Sequence, residues 1–124
     1  MTIESHIDHT RRRIVARVVG KFTIADIRRV IDASVNDPDF EPGFDIFTDH
    51  TEVGDPITTE QVKQMVEHLR DRALAGARWA ALVNTPASYG KLRMVQMLLR
   101  DIPIDVQIFT SRREAEAWLA FPRS

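Results

Sequence analysis

The sequence contains no cysteine, which excludes disulfide bonds, zinc–thiolate sites and thiol catalysis. Its apolar runs are far shorter than the roughly 20 residues that a helix needs to span a bilayer. The first residues also lack the basic region and apolar stretch of a secretory signal. We therefore expect a cytoplasmic protein with no integral membrane association.

The sequence has no excess of charge of either sign, because 17 basic residues oppose 18 acidic ones and give a formal net charge of −1. We therefore expect no nucleic-acid partner of the kind that a net positive charge attracts. Hydrophobic residues make up 44% and charged residues 28%, which is ordinary for a globular domain. A length of 124 residues is typical of one domain, and we interpret residues 1–124 as a single domain.

Alternating apolar residues and β-branched clusters predict five strands, at 3–7, 13–19, 44–49, 78–83 and 104–109. Apolar residues at helical spacing follow the second, third and fourth strands. Residues typical of helix N-terminal caps are Thr23, Thr58, Thr85 and Ser111. The short connection between the first two strands predicts an antiparallel hairpin, whereas strands separated by helices are expected to be parallel. We therefore expect an α/β fold: a single-layer mixed, mostly parallel sheet with helices, in the order ββαβαβα with a final short helix.

Motifs of enzymes are missing from the sequence. It has no Gly-x-Ser-x-Gly elbow and no glycine-rich loop that cradles phosphate, and we predict no cofactor. His50 beside Asp49 can in principle act as a base with its orienting carboxylate, but the sequence places no nucleophile near them. We expect a protein that is not an enzyme, and an enzyme using Asp49 and His50 stays open as an alternative.

Ligands of open α/β sheets usually bind at the carboxyl ends of the parallel strands. The residues expected at or near that edge are Asp49, His50, Thr51, Asn84, Thr85, Ser88 and Thr110. Tyr89 and Arg93 lie one turn apart on the helix after Pro86, where Arg93 can clamp a carboxylate or phosphate and Tyr89 can stack. The alternative is that these two side chains pack on each other. We predict a ligand site that includes Asp49, Asn84, Ser88, Tyr89 and Arg93.

Two groups of histidine and acidic residues do not reach the ligand count or spacing of a known metal site, and we predict no metal. One group is His6, Asp8 and His9, and the other is Asp49, His50, Glu52 and Asp55. We interpret both as solvated strand and loop surface. We interpret the basic run Arg11–Arg13 as decoration of the hairpin turn and of the exposed sheet edge.

Three short stretches in a fixed order resemble one family. Residues 37–43 lead into a strand that ends in Asp49, residues 81–84 lead into Tyr89-Gly90 and Arg93-Met94, and residues 106–109 lead into 114–119. From about Gly20 to Leu119 the chain is similar to the SpoIIAA-like proteins, small bacterial domains of the STAS type that are also labelled as related to CRAL-TRIO lipid-transfer domains. The resemblance implies the same α/β fold.

The resemblance also implies a function. STAS anti-sigma-factor antagonists carry a phosphorylatable Ser or Thr in a turn just after the third strand, and Thr51 in the segment 49–54 matches it. The resemblance thus implies a non-enzymatic regulatory or protein-interaction module with an unknown protein partner.

A carrier of a small molecule, a lipid or an apolar anion, stays open as an alternative to the regulatory module, beside the enzyme already named. A carrier would need a cavity or groove of roughly 300 Å3. A homodimer is compatible with each of these functions, since small domains with an exposed sheet edge or an apolar helix stripe often form symmetric dimers.

Overall fold

The computed structural model describes residues 3–54, 57–70, 74 and 76–122. In these residues five strands form one sheet in the spatial order β1-β2-β3-β4-β5: β1 (Ile3–Asp8), β2 (Arg13–Gly20), β3 (Asp45–Val53), β4 (Arg78–Leu82) and β5 (Asp105–Phe109). Four helices connect or follow them: α1 (Ile24–Val35), α2 (Thr59–Arg70), α3 (Pro86–Leu98) and α4 (Arg112–Ala120).

Strand β1 pairs with β2 in the antiparallel sense, and the pairs β2–β3, β3–β4 and β4–β5 are parallel. The prediction of an α/β fold with a mixed, mostly parallel sheet is confirmed. The described order is ββαβαβαβα. The predicted order, ββαβαβα with a final short helix, left out the strand before that helix, although residues 104–109 were predicted to form it.

Local sequence signals fix where the helices begin. The Thr23 side chain accepts a hydrogen bond from the Asp26 backbone N–H, while the Asp26 carboxylate accepts one from the Thr23 N–H. Thr58 and Gln61 form the same reciprocal pair ahead of α2. Thr85 and Ser111 cap α3 and α4. These contacts satisfy N–H groups that the first turn of a helix leaves without partners, and the predicted caps are confirmed.

Helices cover both faces of the sheet, and side chains along each strand alternate between the two faces. We call one side the three-helix face. There Ile14, Ile46 and Trp79 belong to a core cluster with residues of α2 and α3, and Ile27 of α1 packs with Ala16 and Val18. We call the other side the α4 face, where apolar residues of β3 and β4 pack against α4: Phe47, Ala80, Leu82, Ala115 and Leu119.

Strand β3 is longer than predicted. It continues to Val53, whereas the sequence indicated an end at Asp49 and a loop from His50. Arg17 of β2 faces Asp49 and Val19 faces Glu52, so β3 holds one extra residue between these pairs and forms a bulge. The bulge lets this polar segment keep pairing with the long strand β2. Thr51 therefore lies within a strand, and the prediction of a turn at this place was wrong.

Two predicted details fall on residues that the structure does not describe. The helical spacing of Val62, Val66, Leu69 and Ala73 in the sequence predicts that Ala73 lies on the apolar stripe of α2, which the structure describes as far as Arg70. Asp55 was expected in the acidic group near His50. Both Ala73 and Asp55 lie outside the described residues.

Candidate functional site

A cavity of about 150 Å3 lies between the three-helix face and helices α1, α2 and α3. Its wall is mainly apolar and is built from four strands and three helices. The apolar residues that contribute include Ile3, Ile14, Val18, Ile27, Ile31, Ile46, Val62, Met65, Trp79, Leu92 and Val95. An apolar cavity of about this size remains dry and binds molecules such as benzene.

One polar chain interrupts the apolar wall. Trp79 Nε1 donates a hydrogen bond of 2.8 Å to Thr48 Oγ1, and His50 Nε2 lies 2.8 Å from the same oxygen. Thr48, His50 and Trp79 all border the cavity. Further polar side chains on the wall are Ser34, Ser88 and Lys91. The surface of the cavity is therefore almost entirely apolar, and a few polar side chains border it.

His50 is neutral at pH 7. Burial lowers the pKa of His50 to about 4, and the charge of the neighbouring Asp49 opposes this shift without overcoming it. A neutral imidazole has one N–H donor and one nitrogen acceptor. His50 therefore contributes a neutral ring to the cavity wall.

On the α4 face, the Asp49 carboxylate is the centre of a second group of polar contacts. Its Oδ1 accepts hydrogen bonds from the Thr51 N–H at 2.9 Å and from Thr51 Oγ1 at 2.7 Å. Its Oδ2 accepts a hydrogen bond from Arg112 Nη2, and the Arg112 guanidinium carbon lies 5.2 Å from the centre of the Phe47 ring. Asn84 Nδ2 donates to the Thr51 carbonyl at 3.1 Å. We call Asp49, Thr51, Asn84 and Arg112 the Asp49 cluster.

The Asp49 cluster holds its carboxylate in the ionised form. Burial alone raises the pKa of Asp49, but the hydrogen bonds from Thr51 and the charge and hydrogen bond of Arg112 outweigh burial and lower the pKa below its usual value. Sequence reasoning missed Arg112. The available signal was its place directly after the cap Ser111, at the carboxyl edge of the sheet where ligands were expected.

The structure divides the predicted ligand site among three places. Asp49 and Asn84 come together in the Asp49 cluster, beside Thr51, the candidate phospho-acceptor. Ser88 is 3% exposed and borders the cavity. Tyr89 is 45% exposed, and Arg93 is also exposed and donates to Gln96 Oε1 at 2.8 Å. Helix α3 turns Ser88 toward the sheet and Tyr89 and Arg93 toward solvent, and the roles predicted for these residues stay predictions.

A network of charges at the other end of the α4 face also escaped sequence reasoning. Arg13 is 7% exposed and donates to Glu116 of α4, so the prediction that the whole run Arg11–Arg13 decorates an exposed turn was wrong for Arg13. Its strand, β2, lies inside the sheet rather than at the edge. Arg78 pairs with Asp45 at 2.8 Å and donates to the last carbonyls of α4. These contacts fasten α4 to the sheet.

Two kinds of site find no support among the described residues. No group of three or more histidine or acidic side chains there is placed to hold a metal ion. In the same part of the chain, none of the helices has the length and apolar character needed to cross a membrane.

Comparison with known proteins places the fold. No family model and no curated protein sequence matches the chain. A solved structure of an uncharacterised protein of the DUF3478 family from Shewanella loihica PV-4, described as having a SpoIIAA-like fold, is similar with a TM-score of 0.66. The match covers 96% of this chain and 94% of that chain at 18% identity. The fold of this chain is SpoIIAA-like.

The predicted fold resemblance is confirmed, while a relation to CRAL-TRIO domains stays a prediction. Within this SpoIIAA-like fold the cavity and the Asp49 cluster occupy opposite faces of β3. Thr48 and His50 border the cavity, and Asp49 and Thr51 meet Arg112 on the α4 face. Asp49 therefore does not orient the His50 ring as a base–carboxylate pair would require.

Proposed function

We propose that this chain is a non-enzymatic binding module that holds one small apolar molecule in the cavity beneath helices α1, α2 and α3. The cavity and its apolar wall are the observation that carries the proposal. Burial of apolar surface is the main source of affinity in such a site, at about 25 cal/mol per Å2 of area removed from water. The polar chain of Thr48, His50 and Trp79 would orient the molecule.

The size of the cavity narrows the class of ligand. At about 150 Å3 the cavity is smaller than the roughly 300 Å3 expected of a carrier for larger molecules. A long acyl chain does not fit this volume, whereas a single aromatic ring or a short branched chain does. The proposal therefore keeps the carrier alternative but replaces a lipid by a much smaller molecule.

Titration with toluene tests this proposal by NMR of the methyl groups. We expect saturable shift changes confined to methyl groups on the cavity wall. The variant Ala16→Ile enlarges a buried wall residue of β2 and should abolish these changes. The matched control Val15→Ile lies on the same strand but packs toward the α4 face, and it should keep them. Absence of saturable changes in the native protein would refute the proposal.

A regulatory interaction surface at the Asp49 cluster is the second candidate function. The supporting observation is that the Thr51 hydroxyl and Arg112 share the Asp49 carboxylate. A phosphate on Thr51 would add nearly two negative charges beside Asp49 and compete for Arg112. Mass spectrometry of the protein purified from its own host tests this candidate, because a phosphate localised to Thr51 is expected. A protein fully unmodified at Thr51 under all growth conditions would count against it.

A further inference from the structure

Trp79 fixes which groups donate and which accept in the polar chain of Trp79, Thr48 and His50. An indole N–H can only donate, so Thr48 Oγ1 is the acceptor of the 2.8 Å bond from Trp79 Nε1. The Thr48 hydroxyl keeps one hydrogen of its own. Among the described residues, its remaining side-chain contact is His50 Nε2 at 2.8 Å. The Thr48 hydrogen and the His50 ring must therefore share this contact.

The two possible arrangements of that hydrogen bond differ in free energy. If the Thr48 hydroxyl donates to His50 Nε2, both groups are satisfied and the hydrogen of the neutral ring is at Nδ1. If His50 Nε2 donates instead, the Thr48 hydrogen loses its acceptor in a side chain that is 9% exposed. A buried polar group without a partner is unfavourable. The first arrangement is favoured, and it leaves the hydrogen of the His50 ring, which borders the cavity, on Nδ1.

From this arrangement we propose that the molecule in the cavity is a small neutral carbonyl compound, a ketone or ester with one aromatic ring or a short branched chain. Its carbonyl oxygen accepts a hydrogen bond from His50 Nδ1–H, and its apolar part fills the space among Ile46, Val62 and Leu92. This inference rests on the proposed function, since it names the ligand class of the same cavity.

A neutral carbonyl fits better than a carboxylate. His50 carries no charge at pH 7, so it cannot compensate a buried anion, whose transfer from water is strongly unfavourable. Lys91 is the basic residue on the cavity wall, and its side chain is partly exposed. A long lysine side chain in that position keeps its ammonium group in water while its methylene groups cover apolar surface.

The first experiment measures the tautomer of His50 by two-bond nitrogen–proton correlation NMR, with His50→Phe to assign the signals. We expect the imidazole hydrogen on Nδ1. A hydrogen on Nε2 would overturn the inference without touching the proposed function, because the cavity would then present an acceptor.

The second experiment compares acetophenone with ethylbenzene, which has the same carbon skeleton without the carbonyl, and with benzoate. One neutral hydrogen bond contributes about 0.5–1.5 kcal/mol, so acetophenone should bind between about twofold and tenfold more tightly than ethylbenzene. In His50→Phe this preference should vanish while ethylbenzene still binds. The control His6→Phe makes the same change at an exposed histidine of β1 outside the cavity wall and should keep the preference.

The outcomes distinguish a failure of the carbonyl inference from a failure of the proposed function. Equal binding of acetophenone and ethylbenzene, or a preference that is kept in His50→Phe, overturns the carbonyl inference and leaves the binding module standing. Tightest binding of benzoate overturns the neutral class in favour of an anion. Failure of all three compounds and of toluene to bind overturns the proposed function and the inference together.

Discussion

Trp79 Nε1 of β4 donates a 2.8 Å hydrogen bond to Thr48 Oγ1 of β3, inside the wall of an otherwise apolar cavity. The two strands are neighbours in the sheet, so this side-chain bond adds to their backbone pairing. It also explains how a tryptophan that is 7% exposed satisfies its N–H. The same contact therefore stabilises the pairing of β3 with β4 and holds Thr48 and Trp79 in place at the candidate ligand site.

The first prediction concerns this bond. Thr48→Val keeps the shape of the side chain but leaves the Trp79 N–H without its acceptor, and we expect the free energy of unfolding to fall by about 1–3 kcal/mol. Urea denaturation followed by tryptophan fluorescence measures the change. The control Thr48→Ser keeps the hydroxyl and should lose less. If Thr48→Val were as stable as the native protein, the Trp79–Thr48 bond would have no structural role.

The second prediction concerns pH. The pKa of His50 is about 4 in the folded protein against 6.5 for a free side chain, so the unfolded chain takes up a proton at His50 before the folded protein does. The contribution of neutral His50 to the free energy of unfolding is therefore fully present above pH 6.5, and it is lost as the pH falls from 6.5 toward 4. The loss should reach about 3 kcal/mol at the acid end.

Denaturation midpoints between pH 4 and 7 test this dependence. His50→Leu should flatten the stability profile in that range, whereas the control His6→Gln, at an exposed histidine of β1, should not. Asp49 is the charged neighbour that acts on the ring, and its lowered pKa keeps it ionised through this range. An unchanged profile in His50→Leu would show that burial of His50 does not control acid stability.

The third prediction concerns the Asp49 cluster. Arg112→Gln removes a charge and a hydrogen bond that lower the pKa of Asp49, so this pKa should rise toward its usual value. Carbon NMR of the Asp49 carboxyl group during an acid titration measures the shift. Because Arg112 is mostly exposed, the loss of stability at pH 7 should stay below about 1 kcal/mol. The adjacent, exposed Arg113 offers the matched control Arg113→Gln, which should leave the Asp49 titration unchanged.

The elements that sequence analysis predicted well depend on neighbours along the chain. The cap at Thr23 needs only Asp26, three residues later, and the cap at Thr85 needs only the start of its own helix. Alternation within a strand is equally local. The five strands, the helix starts and the mixed parallel sheet could therefore be derived from residue order alone.

The features that escaped prediction depend on contacts between distant segments. The end of β3 at Val53 is set by pairing with Gly20 on β2, and the bulge beside Asp49 arises from the register of those two strands. The cavity depends on how side chains of three helices fill space over the sheet, which no local pattern encodes. The approach of Arg112 to Asp49 joins residues 63 positions apart. For this reason the candidate site was predicted only in part.

The last prediction concerns the attachment of α4. Arg78 donates to Asp45 and to the carbonyls of Trp118, Leu119 and Phe121, so it both pairs with a buried carboxylate and satisfies the end of the helix. Arg78→Met should lower the free energy of unfolding by about 3–5 kcal/mol, because it leaves the Asp45 charge buried without that partner. Chemical denaturation measures the loss.

The double variant Arg78→Met with Asp45→Asn separates the two roles of Arg78. Removal of the buried charge should restore part of the stability, whereas the carbonyls at the end of α4 still lack their donor. Hydrogen exchange should therefore remain faster in α4 than in the native protein, even where the overall stability has partly recovered. Full recovery of both measurements would mean that the bonds from Arg78 to the helix end contribute nothing to holding α4 on the sheet.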